Sequence, residues 1–330
     1  MAVTIADIQK LRKLTGAGMS DCKKALEETN NDIDAAVEVI RAKGKAVAAK
    51  RSDREASEGC VLCKAVPGFA ATIALKCETD FVANNADFIK LTQDILDLAI
   101  ANKCKTLDEV KALPMGTGDV AQAVVDRSGI TGEKMELDGY QVIEGENVSV
   151  YNHQGKNMLC TMVQLSTPAG EEIGHQVAMQ VAAMNPVSIS EADVPEQVKE
   201  NEMKVAVEKT IEEQVEKAVQ NALKKAGYNL YIAENEEHIA EGIAKGNITE
   251  AQADDIRRIK TETAAQKQAS MPQEMVQKIA QGRMNKFYKE NCLLNQDYIM
   301  DGSKTVAAFI KEADKDCTVT AFTRFTLRAE

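Results

Sequence analysis

Apolar positions recur every three to four residues at the start of the chain, switch to every second residue near Gly59, and return to the longer period near Asn85. The first regime predicts three short helices within residues 4–40. Thr4 is placed to cap the first, with Ile5, Ile8, Leu11 and Leu14 inward, and Gly16-Ala17-Gly18 breaks it; Ala25 and Leu26 lie inside the second; Asn31 is placed to cap a third carrying Ile33, Ala36, Val37 and Ile40. Residues 41–58, basic and Ala-rich with few large apolar side chains, read as a linker with some helix. The period-two regime then predicts a hairpin, Cys60 to Ala65 and Phe69 to Leu75, turning at Pro67-Gly68. Phe88, Leu91, Ile95, Leu98 and Ala99 follow at helical spacing, one amphipathic helix to cover a sheet face.

The second half repeats that layout. A short helix around Val120–Asp126 leads into a Gly-, Val- and Tyr-rich strand region, Met135–Val150. Val148–Tyr151 and Met158–Leu165 form another hairpin, and a helix with Ile173, Val177 and Val181 on one stripe ends at Asn185-Pro186. The pattern predicts a duplicated α+β unit, strand pair then helix, with the two halves packed as subdomains. Residues 191–268 break from it: charged, Ala-rich and poor in aromatics, with Ile211, Val215, Ala218, Ala222 and Leu223 on one helix and Ala253, Ile256, Ile259 and Thr263 on another that Thr249 and Gln252 cap. Two long helices joined near Gly227–Gly246 predict an antiparallel coiled-coil arm, whose thin apolar seam could meet a partner or a second copy of the chain. Globular character returns over 271–330, with a helix at Met284–Glu290, a Tyr298-to-Gly302 loop, a helix at Thr305–Glu312 and a last strand from Val319 to Leu327. The expected domains are 1–54, 55–150, and 151–330 with the arm inserted at about 191–268.

Charge narrows the choice of partners. The 330 residues carry a net charge of −11, but residues 1–54 hold 11 Lys and Arg against 8 Asp and Glu, which makes them +3 and the remainder −14. An acidic chain of this kind is unsuited to gripping nucleic-acid backbone. The start has neither a basic nor an apolar targeting segment, and no stretch is long enough to cross a bilayer, so the expected location is the cytosol, away from membrane. Eight scattered cysteines fit reduced thiols. Cys60 and Cys63 make a lone C-x-x-C, but on a strand they face opposite ways and no second pair joins them, which argues against metal or redox use. The three histidines, His153, His175 and His238, have no cysteine or acid at motif spacing. Nothing supplies a nucleophile–base pair, a metal cluster or a phosphate cradle, so the expectation is a protein that is not an enzyme and takes no cofactor.

One stretch stands out against this background. Cys77-Glu78-Thr79-Asp80-Phe81-Val82-Ala83-Asn84 lies where a strand gives way to a helix and sets one of only seven Phe beside an acid. Its simplest reading is structural: Thr79 or Asp80 caps a helical turn while Phe81 packs back against Val82 or Phe88. Two segments point further. Glu78-Thr79-Asp80-Phe81-Val82-Ala83, together with Leu11-Arg12-Lys13-Leu14-Thr15-Gly16-Ala17-Gly18-Met19-Ser20-Asp21-Cys22-Lys23-Lys24-Ala25-Leu26, closely resembles the signatures of the bacterial translation elongation factor Ts family. Gly174–Pro186 resembles it too, with Gln180 where the family commonly has a His.

The resemblance implies a ubiquitin-associated (UBA-like) fold for the first three helices and an exchange activity: binding of elongation factor Tu, GDP-bound and nucleotide-free, with release of GDP. It implies partner contacts at Thr79, Asp80, Phe81 and Val82, at Met19 and Lys23 in the first unit, and at Ile299 and Met300 in the closing segment. Exchange needs no covalent step, only differential binding, and an aromatic wedge supplies contact area with few rotatable bonds. A scaffold made of a UBA-like head and a coiled coil would account for residues 1–54 and 191–268, but it gives the corner and the duplicated body no purpose. A thiol enzyme using Cys60 and Cys63 is the remaining rival.

Overall fold

The computed structural model describes residues 2–328. Met1, Ala329 and Glu330, at the ends of the expected segments 1–54 and 271–330, lie outside the described residues. The chain forms two compact units, residues 1–189 with 297–330, and residues 190–296.

The first unit opens with α1 (Ile5–Thr15), α2 (Met19–Glu28) and α3 (Ile33–Lys50). Thr4 caps α1 in a reciprocal box with Asp7, and Gly16, at φ 69°, ends it in the left-handed conformation that glycine adopts without strain. Ile8, Leu11, Cys22, Ala25, Leu26 and Ala36 make the small core of the three helices. Ile5 and Leu14 are exposed, contrary to expectation, because on so short a helix only Ile8 and Leu11 fall on the stripe that α2 and α3 cover. Asp32, not Asn31, caps α3. Asn30 and Asn31 both hold positive φ, whereas a capping residue needs extended backbone.

The expected linker is mostly helix. α3 continues to Lys50, and Gly44 brings it against a later helix so closely that a Cβ on Gly129 would lie 2.4 Å from the Gly44 Cα. A run of small residues looks poor in apolar mass but allows close backbone approach, and Ala favours helix.

Two sheets of one topology follow. In the first, β1 (Glu58–Val66) and β2 (Phe69–Cys77) form an antiparallel hairpin. Then come α4 (Asp80–Ala83), α5 (Ala86–Ala101), α6 (Leu107–Lys111), the small hairpin β3 (Pro114–Met115) and β4 (Gly118–Asp119), and α7 (Val120–Thr131). The third strand, β5 (Met135–Glu144), pairs with β2. In the second sheet, β6 (Val148–Asn152) and β7 (Leu159–Leu165) are the hairpin and α8 (Glu171–Met184) is the helix. The strand order is β1-β2-β5 in one sheet and β10-β7-β6 in the other, so in both a hairpin and a helix precede a third strand that pairs with the second. The duplicated α+β body read from the sequence is present.

α5 covers the first sheet with Phe88, Ile95, Leu96 and Ala99 against Phe69, Ile73 and Leu75, all essentially buried. Each large side chain removed from water in this way contributes about 1.5–3 kcal/mol. Cys60 faces this core, while Cys63 faces the layer between the sheets beside Cys160 and Met162.

The second unit contains α9 (Glu196–Lys225), α10 (Leu230–Ala233), α11 (Glu236–Ala244), α12 (Glu250–Ser270) and α13 (Gln273–Asn291). α9 runs against α12 and then α13, so the return leg of the hairpin continues beyond residue 268 and is interrupted at Met271-Pro272, where proline cannot extend α12 and starts α13. Leu223, Ala233, Ile239, Ile248, Ala253 and Ile256 give the far end a core of its own. At the near end, the Asn295 amide donates to Glu191 Oε1 at 2.8 Å and brings the two chain ends of the unit together.

The chain then re-enters the first unit as β8 (Asp297–Tyr298), β9 (Asp301–Thr305), α14 (Val306–Ala313) and β10 (Val319–Thr326), the last pairing with β7. Ile299 and Met300 form the two-residue turn between β8 and β9.

Candidate functional site

The corner begins where β2 ends at Cys77. Thr79 has extended backbone and caps α4, its hydroxyl accepting the Val82 N–H at 3.4 Å. The same hydroxyl donates to Glu133 Oε1 at 2.6 Å, while Glu133 Oε2 accepts the N–H groups of Glu78 (3.2 Å) and Thr79 (3.1 Å). The exchange is reciprocal: the Glu78 carboxylate accepts the Lys134 N–H at 2.6 Å and a two-pronged contact from Arg51 Nη1 at 2.8 and 3.0 Å. The Lys134 N–H first, and then the Arg51 guanidinium, hold the Glu78 carboxyl below the ordinary carboxylate range. The Lys134 ammonium donates to the carbonyls of Ser52 and Arg54. The turn is thus fastened to the segment before β5 and to the end of α3.

Within this frame the side chains divide. Val82 packs against the first core and Ala83 is buried in it. Asp80 occupies the first turn of α4, where a carboxylate is favoured, yet its side chain is exposed and makes no hydrogen bond or ion pair among the described residues. Phe81 does not pack back onto Val82 or Phe88. It is 85% exposed, the largest value among the exposed large hydrophobic side chains of the described residues, while Phe69 and Phe88 are essentially buried. An exposed benzyl ring on a rigid turn gains nothing for the fold.

The other expected site residues form two further clusters on the first unit. Met19 and Lys23 sit one turn apart on α2, both exposed, with Lys23 in a loose pair with Glu27 at 3.7 Å. Ile299 and Met300 project from the β8–β9 turn, Met300 being 69% exposed. Tyr298 holds that turn from below by stacking on Phe309 (ring centroids 4.1 Å apart) and donating its hydroxyl to Gln176. Gln180 is fully buried: its amide donates to the Asp297 carbonyl at 3.1 Å and accepts the Ile299 N–H at 2.9 Å. It therefore aims the turn instead of presenting itself at the surface. Among the described residues no hydrogen bond or ion pair joins the three clusters.

The sequence pattern missed Glu133, Lys134 and Arg51. Their partners at the corner and at the end of α3 lie 27 to 82 residues away, and the only local signal was Gly132, which ends α7 in the left-handed conformation and delivers Glu133 to the corner.

Other chemistry finds little support. His153 and His175, distant in sequence, both meet Tyr151 in T-shaped contacts, with ring centroids 5.7 and 5.3 Å away. His175 also borders an open groove of about 810 Å³ with Ser149, Thr167 and Glu172, but no hydrogen bond joins these groups among the described residues. No group of three or more His, Cys, Asp or Glu among the described residues is arranged to hold a metal ion. Burial pushes the Cys60 thiol up to about 11 and that of Cys77 up to about 12, which makes both poor nucleophiles. No helix of the described residues is long and apolar enough to cross a membrane.

Comparison with known proteins agrees with the motifs. The family described as Elongation factor TS matches residues 78–329. Proteins named Elongation factor Ts from Phocaeicola vulgatus, Bacteroides fragilis and Parabacteroides distasonis are 63%, 61% and 60% identical over 330 residues, covering the whole of both chains in each case.

Proposed function

The chain belongs to the elongation factor Ts family of translation elongation factors, and from that premise we propose that it binds elongation factor Tu in its GDP-bound form and drives GDP out by inserting Phe81 into the GTPase. The observation that carries this reading is Phe81 itself, a bulky apolar side chain held 85% exposed on a turn fastened from three sides. Asp80 flanks the ring with an uncommitted carboxylate and accepts hydrogen bonds from the GTPase. Val82 roots the turn in the core. Met19 and Lys23, together with Ile299 and Met300, are the outlying contacts that set orientation.

Entry of the ring displaces the elements that hold Mg²⁺ and the β-phosphate. No covalent step is required. A factor that prefers the nucleotide-free GTPase weakens GDP binding by the same factor by which GDP weakens its own, because the coupling is reciprocal. GTP then rebinds in the cytosol, where translation runs.

Truncating a central aromatic anchor costs at least about 2 kcal/mol of interaction energy, roughly thirtyfold. Phe81→Ala should therefore slow stimulated release of fluorescent GDP from elongation factor Tu by about that factor. Its melting temperature should match the wild type, because the ring contributes nothing to the core. Release at the unmodified rate would overturn the wedge.

A further inference from the structure

Phe81 can act as a wedge only if the turn beneath it does not yield, and the structure shows what resists. α4 is a single turn of four residues and too short to hold itself in water. Its capping residue is in turn held by a carboxylate from elsewhere in the chain. Glu133 reaches residues 78 and 79 with both oxygens, accepting two backbone N–H groups and one hydroxyl. Glu133 is itself fixed: its N–H donates to Thr131 Oγ1 at 3.3 Å, its carbonyl accepts the Ser128 hydroxyl, and Gly132 on one side and β5 on the other set its direction. A half-buried carboxylate with three donors does more than close a loop. It fixes the orientation of the two residues that launch α4, and with it the direction in which Phe81 projects.

We propose that Glu133 is a positioning residue for nucleotide exchange, setting the aim of the Phe81 ring through the Thr79 cap. This rests on the exchange reading above. Glu133 touches neither nucleotide nor GTPase in this scheme. Glutamine in its place keeps the size but loses the charge and one acceptor, so the donors of residues 78 and 79 can no longer all be served.

The experiment is a double-mutant cycle on stimulated GDP release, with elongation factor Tu·GDP varied to separate the maximal rate from the concentration dependence. Glu133→Gln should lower the maximal rate by roughly tenfold, the order expected for lost hydrogen bonds to a charged group. Glu133→Gln combined with Phe81→Ala should lose clearly less than the sum of the two single losses, because Glu133 acts through the turn that aims the ring. Additive losses, or a Glu133→Gln variant at full rate, would overturn the proposal.

A second readout is independent of the GTPase. The chain contains no Trp, so Phe81→Trp gives a single reporter at the corner. Its fluorescence anisotropy should fall when Glu133→Gln is added and be restored in part by Glu133→Asp. Unchanged anisotropy would show that the turn holds its aim without the carboxylate and would likewise overturn the proposal. Should Glu133→Gln fail to fold, Glu133→Asp carries the same cycle and the same anisotropy comparison against wild type. If Phe81→Ala alone released GDP at the unmodified rate, the wedge reading would fall, while the anisotropy measurement would still judge the role of Glu133.

Discussion

At the scale of single residues, the decisive contrast is between side chains of the same kind in different settings. Phe69 and Phe88 are buried and Phe81 is not; Glu78 and Glu133 are committed to backbone N–H groups and Asp80 is not. Because its hydrogen bonds lower the folded-state pKa of Glu78, the stability it lends is present above the ordinary value of 4.5 and is lost as pH falls through the lower folded-state value. The Lys134 amide proton, which reports this bond directly, should therefore titrate by NMR with a midpoint below 4.5. A midpoint at or above 4.5 would contradict the geometry. Gln180 offers another residue-scale test. Its replacement by Ala removes the bonds to the Asp297 carbonyl and the Ile299 N–H, both part-buried, at a cost of about 0.5–1.5 kcal/mol for each in urea unfolding. The Thr79 cap was legible from sequence because capping is local. Glu133 was not, because a carboxylate reaching 54 residues back leaves no periodicity to read.

At the scale of elements, alternation and helical spacing located both hairpins, α5 and α8 to within a residue or two, since each buries one face and therefore repeats. The extent of helix in the expected part-helical linker was not legible, for the opposite reason. The second half of α3 packs through Gly44, which has no side chain for hydrophobic periodicity to weigh. That packing is tight: adding a methyl at Gly129 would collide with the Gly44 backbone, whereas one at Gly44 would meet the Val125 carbonyl at a more tolerable 3.2 Å. Gly129→Ala should accordingly destabilise the first unit by about 1–3 kcal/mol in chemical denaturation, and Gly44→Ala by less. The same packing changes how a truncation would be read. Removing residues 1–54 also removes Arg51, Ser52 and Arg54 from the corner, so loss of exchange in such a fragment would not by itself assign partner contact to the first three helices.

At the scale of the whole molecule, every residue assigned to the proposed contact lies in the first unit: Met19 and Lys23, Thr79 to Val82, and Ile299 and Met300. The shift in composition near residue 190 revealed the inserted helices. Met271-Pro272 interrupts the return leg without ending the hairpin, a local break that resembles a boundary in the sequence. The core at its far end shows that the second unit is partly self-sufficient. Replacing residues 190–296 by a short Gly/Ser linker should therefore leave a folded first unit, seen as a retained cooperative melt, that still releases GDP from elongation factor Tu. Complete loss of release from a folded variant would move part of the function into the arm.

The Asn295–Glu191 bond that joins the two ends of the arm carries a consequence for descent as well as for folding. An excursion that departs and returns at neighbouring points asks little of its host, because lengthening a closed loop adds entropy only logarithmically. Appendages of other lengths or with other tips could then be grafted at the same two points without altering the first unit.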